Sequence, residues 1–391
     1  MECQSALFSL PADMHYLNCA AYGPLPRATE AAGLEGVRRK SVPVDVGPQL
    51  LIPMAEALRA EIAALVNAPV DRVALIPSVS YGMGIAARNL PLGAGDEAVL
   101  VGDEFPSNVL AWVESAAAQG GTVRLVPRPD VPPGGVSREW NARLLEAITP
   151  ATRLAAVTPL HWMDGVPFDM MAVRQRTREV GALMVLDGSQ SIGAQPLDWQ
   201  AVQPDLLLCA GYKWLLGPYK CCFAVVGDAL LGWQPLEYTW LGREGHQNQG
   251  NFTNYHARMQ SNARRFDVGE RANWINLPML TESIRQLRTW GVDAVEQYCQ
   301  GLTATLHEAL AEEPARGFAL PAAADHAPHL LGISLGGGKH GGLDPHKVAG
   351  ALAERNIIVS VRGSSVRVSP NVYNTDEDMH ALLSALREIC R

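Results

Sequence analysis

Two short stretches decide the fold: residues 182–190, ALMVLDGSQ, and residues 206–214, LLLCAGYKW. Each stretch begins with an apolar run and then changes to glycine and polar residues. Apolar runs of this length, when turn residues bound them, are typical of buried strands in a parallel sheet. The two stretches therefore predict two strands that are followed by an acid, Asp187, and an amine, Lys213.

The same kind of pattern continues along most of the chain. From about residue 55 to 225, predicted strands alternate with helical patterns, which indicates an α/β fold with a doubly wound, mostly parallel, seven-stranded sheet. The predicted strands are Val73–Ile76, Ala98–Val101, Thr122–Val126, Leu154–Thr158, Leu183–Leu186, Leu206–Cys209 and Cys222–Val226. The helical stretches between them include Pro106–Gln119, Arg138–Ile148 and Met170–Val180.

A different organisation is predicted for the remainder. Residues 235–265 are polar and predict a long loop or crossover, and a long helical stretch follows from Leu277 to about Leu310. The glycines of 336–342 predict a flexible turn. Shorter elements complete the chain: Leu330–Ser334, Pro345–Glu354, Ile357–Val361, Val366–Val368 and Asp376–Ile389. We therefore expect an N-terminal arm over 1–30, a large domain over 31–275 and a smaller α+β domain over 276–391.

Composition limits the classes of function. The chain has 391 residues, 48% of them hydrophobic, and a formal net charge of -8, which disfavours binding to nucleic acids or anionic membranes. It contains no apolar run of about 18 residues, which a membrane span needs, and its N-terminus lacks the basic region of a signal peptide. Seven cysteines without metal-binding spacing predict free thiols in a cytoplasmic protein and no metal site.

Four predicted strands of the large domain lead into residues that can do chemistry. Ligands of open α/β sheets bind at the carboxyl ends of strands. Ser78, Val79 and Ser80 lie between a strand and a helix, where they can hold a phosphate or simply cap the helix. His161 follows another strand and is either a structural residue or a ring that stacks on a ligand.

Asp187 and Lys213 point to one cofactor in particular. Alone, Asp187 is better explained as a turn former or a helix N-cap residue. Together, a lysine and an acid at one sheet edge suit pyridoxal phosphate (PLP), because the lysine forms the Schiff base and the acid keeps the pyridine nitrogen protonated. Tyr212 and Trp214 flank the lysine, and such an apolar setting lowers the pKa of an amine.

The sequence around these residues resembles a known family. Residues 186–218, LDGSQSIGAQPLDWQAVQPDLLLCAGYKWLLGP, resemble the cofactor segment of the class V aminotransferase-fold PLP enzymes, which include cysteine desulfurases, isopenicillin N epimerase and C–S lyases. Further similar segments are YLNCAAYGPLP (16–26), SVSYGMG (78–84), HWMDG (161–165), RRFDVGERANW (264–274) and VRVSPNVYNTDED (366–378). The resemblance implies PLP fold type I.

The resemblance also implies a role for each candidate residue. Lys213 would carry the cofactor, Asp187 would contact the pyridine nitrogen, Gln190 the ring hydroxyl, and His161 the ring face. The phosphate would be held by Ser78, Val79, Ser80 and Tyr212, the substrate carboxylate by Arg367, and the substrate would be bordered by Asn18, Ala20, Ala21 and Tyr22. The family further implies a homodimer, in which the stretch with Arg264, Arg265 and Arg271 reaches the partner's cofactor. Arg362 is either a second anion contact or a solvated strand residue.

One departure from the family guides the choice of reaction. Desulfurases carry a nucleophilic cysteine shortly before the carboxylate-binding arginine, but residues 359–367, VSVRGSSVR, contain none. The resemblance is strongest to the epimerase-like and C–S lyase branch, on the segments GYKWLLGPY (211–219) and VRVSPNVYNT (366–375). It favours a C–S β-lyase that acts on cysteine or a cysteine S-conjugate through an α-carbanion. The alternatives are an epimerase, an aminotransferase or a decarboxylating enzyme, and a non-enzymatic role is disfavoured because Lys213 and Asp187 are both present.

Overall fold

The structure is a computed structural model. It describes residues 1–45, 47–248, 253–271, 273–311, 317–335 and 342–390. Most of the glycine-rich stretch 336–342, for which the sequence predicts a flexible turn, lies outside these described residues. None of the helices within them has both the length and the apolar composition that crossing a bilayer requires.

The strands and helices alternate through the first two thirds of the chain. The strands are β1 (His15–Tyr16), β2 (Val73–Ile76), β3 (Glu97–Val101), β4 (Thr122–Val126), β5 (Thr152–Val157), β6 (Leu183–Asp187), β7 (Leu206–Ala210), β8 (Cys222–Val226), β9 (Leu331–Ser334), β10 (Ile357–Ile358), β11 (Ser360–Arg362) and β12 (Ser365–Val368). The helices are α1 (Arg27–Ser41), α2 (Pro48–Leu65), α3 (Val79–Asn89), α4 (Pro106–Gln119), α5 (Val136–Ala147), α6 (Met170–Val180), α7 (Trp199–Val202), α8 (Asn276–Trp290), α9 (Val292–Ala311), α10 (Pro345–Ala353) and α11 (Asp376–Ile389).

The large sheet has seven strands in the order β2-β8-β7-β6-β5-β3-β4. Only β8 runs antiparallel to its neighbours, β2 and β7, so the mixed, mostly parallel sheet predicted from the sequence is confirmed. Side chains alternate between the two faces, both of which are buried. On β6, for example, Met184 and Leu186 pack in the core that includes α2, α5 and α8, whereas Val185 packs in the core under α3 and α4.

Two predicted elements are divided in the structure. The helical stretch from Leu277 to Leu310 is two helices. Gly291 has a positive φ (+80°), which a helix cannot continue through, and its N–H donates to Leu287 O at the end of α8. The predicted strand Ile357–Val361 is also two strands, because β10 pairs with β1 whereas β11 forms a hairpin with β12.

The N-terminal arm contacts both parts of the molecule. Its strand β1 lies parallel to β10, and Leu17 is buried in the core around the small sheet β11-β12-β9. The chain then crosses to the large sheet, where Cys19 and Ala20 are buried. The Gly23 N–H donates to Tyr212 O at 2.9 Å, so the arm lies directly on the segment that carries Lys213.

Candidate active site

The structure brings the predicted residues to one edge of the large sheet. Because β2, β6 and β7 all run in the same direction, their carboxyl ends meet there. Asp187 is the last residue of β6, and Lys213 follows β7 after a turn. The register places the last residue of β2, Ile76, opposite Cys222, which in turn lies opposite Ala210, so the start of α3 adjoins the Lys213 turn.

The Lys213 amine is buried and has aromatic surroundings. The residue is 8% exposed, and its Nζ lies 5.3 Å from the centre of the Phe105 ring and 5.7 Å from that of Tyr212. Burial lowers the pKa of the amine, and the charge of Arg367 adds to this effect, while Asp187 opposes it. The net direction is downward, which increases the fraction of neutral, nucleophilic amine at neutral pH.

Asp187 is held in place by the turn that follows it. Its Oδ1 accepts a hydrogen bond of 2.9 Å from the Ser189 N–H, and Ser189 Oγ accepts one of 3.0 Å from the Ala210 N–H. These bonds link the ends of β6 and β7. The Asp187 carboxylate is the main charge that raises the pKa of Lys213, which places acid and amine in one electrostatic environment.

Gln190 connects the same edge to the arm. Its Nε2 donates to Ala20 O at 3.2 Å, and its Oε1 accepts from Trp214 Nε1 at 2.9 Å. One N–H of the amide is therefore left for a ligand. His329, which the sequence reasoning missed, lies with Nε2 2.7 Å from Gln190 O, and burial lowers its pKa to about 4. A neutral imidazole can donate this bond, so His329 is a positioning residue.

Hydrogen bonds at both ring nitrogens orient His161. Its Nδ1 lies 2.9 Å from Asp164 Oδ1 and its Nε2 lies 3.3 Å from Asp103 O, while Arg128 also pairs with Asp164. Burial by itself lowers the pKa of His161, but the hydrogen bond and charge of Asp164 outweigh it, and the pKa is raised. The ring also packs 4.9 Å from that of Trp140, so its orientation is fixed on several sides.

Ser78 caps the start of α3, which is one of the two roles that the sequence allows for this segment. Ser78 Oγ accepts from the Tyr81 N–H at 3.1 Å and lies 3.0 Å from Ser80 Oγ. Val79 is buried, whereas Ser80 is exposed. A capped helix start still carries its positive dipole end, so a phosphate role for these residues remains a prediction.

The arm residues contact Ser369, two residues after Arg367. The backbone of Asn18 forms an isolated parallel β-bridge with Ser369. The buried Asn18 Oδ1 has no hydrogen-bond partner among the described residues. The Ala20 N–H donates to Ser369 Oγ at 3.1 Å. Tyr22 is 60% exposed, and its ring lies 5.7 Å from that of Tyr212; Ala21, which precedes Tyr22 in the chain, is half-buried.

Arg367 is buried, and only part of its guanidinium group is hydrogen-bonded within the described residues. Its Nε donates to Ser360 Oγ at 3.2 Å and its Nη1 donates to Trp162 O at 2.8 Å, but Nη2 has no partner in the described part of the chain. Burial, together with the nearby charge of Arg362, lowers its pKa to about 9. An oriented guanidinium with a free donor is suited to a carboxylate.

Glu104 is a candidate that the sequence reasoning missed. It lies just beyond β3, is 9% exposed, and its Oε1 accepts from the Phe105 N–H at 2.6 Å. Its Oε2 is buried without a hydrogen-bond partner among the described residues. Burial raises the pKa of Glu104 to about 7, against the opposing effect of His161. The available signal was an acid that follows an apolar strand at the same sheet edge.

The three arginines in 264–271 differ in how many of their nitrogens have partners among the described residues, and Arg265 Nε and both Nη atoms of Arg271 have none. Arg264 pairs with Glu56, and Arg265 donates to Leu231 O. Arg271 is 4% exposed and its Nε lies 2.9 Å from Asp267 Oδ2, but Nη1 and Nη2 have no hydrogen-bond partners among the described residues. It lines a cavity of about 560 Å³. A role of these residues toward a partner subunit stays a prediction.

A model of the class V aminotransferases matches residues 49–384. The chain belongs to this family. The uncharacterized aminotransferase YcbU of Bacillus subtilis (strain 168) is 29% identical over 85% of this chain and 83% of its own length. A probable cysteine desulfurase of Methanothermobacter thermautotrophicus is 25% identical, and isopenicillin N epimerase of Amycolatopsis lactamdurans is 26% identical; each match covers 96% of this chain and 95% of the relative.

A solved structure shares the fold over nearly the whole chain. The cystine C–S lyase C-DES, in complex with its reaction product cysteine persulfide, superimposes with a TM-score of 0.84. The match covers 96% of this chain and 98% of C-DES at 21% identity. The fold is therefore that of PLP fold type I, as the sequence predicts.

This class V protein is a PLP-dependent enzyme, and its residues fit the cofactor. Lys213 offers a buried amine with no hydrogen bond or ion pair in the described part of the chain, next to the Asp187 carboxylate. Lys213 and Asp187 would hold the cofactor, and contacts of Gln190 and His161 with its ring remain predictions. The orphaned oxygen of Glu104 and nitrogen of Arg367 mark polar groups that a ligand can satisfy.

The cysteines of this class V enzyme are arranged unlike a persulfide site. All seven are free, and six are buried. The hairpin between β11 and β12 turns tightly through Gly363 and Ser364, since Arg362 lies opposite Ser365. Cys19 is buried, with Sγ 3.9 Å from Lys213 O; burial raises its pKa to about 12, and Asn371 Nδ2 donates to its Sγ. Such a thiol is a poor nucleophile at neutral pH.

Proposed function

We propose that the protein is a PLP-dependent C–S β-lyase that acts on cysteine or a cysteine S-conjugate. The observation that carries the proposal is a buried Lys213 in the electrostatic range of Arg367, beside a hairpin that offers no thiol. Within the described residues, Lys213 is unpaired and Arg367 Nη2 has no hydrogen-bond partner. The amine and guanidinium suit an α-amino acid, and the absent thiol disfavours persulfide transfer. The fold shared with a C–S lyase supports the same reaction class.

The residues of the chain divide the work of this reaction. Bound PLP withdraws electrons from the α-carbon of an attached amino acid, which weakens the bonds at that carbon. Arg367 binds the α-carboxylate, and Asp187 holds a proton on the pyridine nitrogen. Lys213, whose lowered pKa leaves a larger share of neutral amine, takes the α-proton.

A departing sulfur needs a proton near neutral pH, and Glu104 is suited to hold one. Its Oε2 is buried and unpartnered among the described residues, and its pKa is raised to about 7. An acid with a pKa near the working pH donates and regains a proton with little cost in either direction. We assign to Glu104 the role of proton donor to the departing sulfur. We assign to His161 the role of orienting the cofactor ring.

We also propose that the enzyme works as a homodimer. Large aromatic side chains such as Tyr238 (56% exposed) and Tyr255 (80% exposed) lie in the same 235–275 stretch as Arg271, whose Nη atoms are open. Burying exposed aromatic surface favours association. Light scattering is expected to give twice the mass of one chain, and a monomeric, fully active enzyme would contradict this part of the proposal.

A second candidate is epimerisation, which the similarity to isopenicillin N epimerase favours. Tyr22, exposed and close to Tyr212, is a group that could deliver a proton from a different direction than Lys213. The two candidates differ in products, because epimerisation keeps the side chain and elimination expels it. Chiral analysis of a recovered amino acid therefore separates them.

The proposal is tested with a panel of S-substituted cysteines and the PLP-loaded enzyme. A β-lyase releases thiol, ammonia and pyruvate in equal amounts, since the enamine product hydrolyses. Racemised amino acid without thiol would support the epimerase instead. Absence of all three products across a broad panel would overturn the lyase proposal.

A further inference from the structure

Two arginines project from the same face of the β11–β12 hairpin. Ser360 lies opposite Arg367, and Arg362 lies opposite Ser365. Since side chains alternate along a strand, Ser360, Arg362 and Arg367 share one face. Diagonal neighbours in such a pair are within reach of long side chains, which places the two guanidinium groups in one neighbourhood.

Both arginines contact Trp162, the residue after His161. Arg367 Nη1 donates to Trp162 O at 2.8 Å, and the Arg362 guanidinium lies 5.4 Å from the centre of the Trp162 ring. The aromatic face holds Arg362 by a cation–π contact. Arg362 is therefore an ordered side chain at the margin of the site, unlike a fully solvated one.

Both guanidinium groups have donors without partners among the described residues. In the described ranges no carboxylate pairs with Arg362 or Arg367, and Arg362 Nε and Arg367 Nη2 are buried without hydrogen-bond partners. Buried donors without partners cost free energy, and adjacent like charges repel. This arrangement is unfavourable for the protein alone and favourable once two anionic groups bind.

The acidic side chains of the cleft beside Arg362 either have other partners or are exposed to solvent. Arg362 lines a cleft of about 610 Å³, together with four aspartates. Asp164 pairs with Arg128 and contacts His161, and Asp325 accepts from backbone N–H groups of the chain. Asp103 and Asp130 are exposed.

We propose that Arg362 binds a second anionic group, at the end of the substrate side chain, while Arg367 binds the α-carboxylate. The preferred substrate is then a cysteine S-conjugate whose S-substituent ends in a carboxylate. The inference rests on the proposed function for the placement of the α-carboxylate. The adjoining cleft gives the S-substituent room, and the open Arg362 Nε gives it a charged donor.

The test compares S-carboxymethyl-L-cysteine with its neutral isostere, S-carbamoylmethyl-L-cysteine. Binding to the PLP-loaded enzyme is followed through the visible band of the cofactor, which reports Kd whether or not turnover follows. We expect the acid to bind about tenfold more tightly than the amide, as a charge-assisted hydrogen bond allows. In Arg362→Gln the Kd of the acid should rise to that of the amide, which itself changes little, and Arg362→Lys should keep part of the preference.

Arg355→Gln is the matched control, because Arg355 pairs with Glu388 on the surface of the small domain. It should retain the wild-type preference. Equal affinity of the wild type for the two ligands would overturn the inference even if no variant folds. An unchanged preference in Arg362→Gln, or loss of both ligands with a normal cofactor band, would also overturn it. Selective binding without thiol release would contradict the lyase function and leave this inference standing.

Discussion

Burial sets the protonation of individual residues in this site. Lys213 and Glu104 are both buried, and in each case burial favours the uncharged form. The amine is thereby prepared to accept a proton and the carboxyl to hold one. Asp164 works in the opposite direction on His161, since its charge favours the protonated ring.

The raised pKa of Glu104 predicts how stability depends on pH. The folded state binds the Glu104 proton more tightly than the unfolded chain, so stability falls as pH rises from the ordinary glutamate range through about 7. Glu104→Gln removes the buried charge and should raise the free energy of unfolding at pH 8 by about 1–3 kcal/mol, with little change at pH 4. Urea unfolding at the two pH values measures this effect.

The same substitution predicts a change in activity. If Glu104 supplies a proton, wild-type kcat falls as pH rises through about 7, and Glu104→Gln has a lower kcat without that descent. Glu308→Gln is the matched control, because it makes the same change at an exposed position of α9 and should keep the wild-type profile. An unaltered pH profile in Glu104→Gln would exclude the role in proton supply.

Asp164 is predicted to act through His161. Asp164→Asn removes the charge that raises the pKa of His161, so the protonated ring should be lost at a lower pH than in the wild type. We expect about a tenfold loss of kcat with the cofactor band retained. NMR titration of His161 gives the pKa directly, and Asp130→Asn, an exposed acid of the same cleft, is the control. An unshifted His161 would refute the coupling.

At the scale of elements, the sequence predicts most strands of the large sheet to within two residues, because apolar runs bounded by turn residues mark them clearly. It does not predict the break at Gly291, since apolar periodicity continues on both sides of it. It also cannot divide 357–361, because strand pairing depends on which partners the fold brings near. Glu104 was missed for a related reason: an acid after a strand resembles a turn residue until its burial is known.

The contact between the arm and the Lys213 turn gives a prediction at this scale. A Cβ at Gly23 would clash with Lys213 O, so Gly23→Ala must displace the arm or the turn. We expect a destabilisation of about 1–3 kcal/mol and weaker PLP retention. Gly301→Ala in α9 is the control, because nothing lies within 4 Å of its added Cβ. Equal stability and PLP retention in the two variants would contradict the close approach.

Across the whole molecule, a buried ion network ties the 264–271 segment to the large sheet. Arg59 pairs with Asp267 and its Nη1 donates to Val73 O at 2.7 Å, while Asp267 Oδ1 accepts from the Leu75 N–H at 2.9 Å. The network therefore links α2, β2 and the segment that precedes α8. Because β2 leads into Ser78, it also supports the start of α3.

Removing Asp267 should affect both stability and the site. Asp267→Ala leaves the buried guanidinium group of Arg271 without its carboxylate and that of Arg59 with Glu56 alone, which costs about 3–5 kcal/mol. Chemical unfolding measures the loss. Asp228→Ala removes an exposed partner of Arg72 and should change stability little. A small effect in Asp267→Ala would show that the network is not a main support of the fold.

The central claim is that Lys213 is the amine through which this enzyme performs β-elimination. The most direct measurement is thiol release from an S-substituted cysteine, recorded alongside the visible cofactor band, in the wild type, Lys213→Ala and the exposed-lysine control Lys347→Ala. We expect a band and equal amounts of thiol and pyruvate in the wild type and the control, and neither in Lys213→Ala. Thiol release that survives in Lys213→Ala at an unchanged rate, or a wild type that shows the band but releases no thiol from any S-substituted cysteine, would contradict the claim.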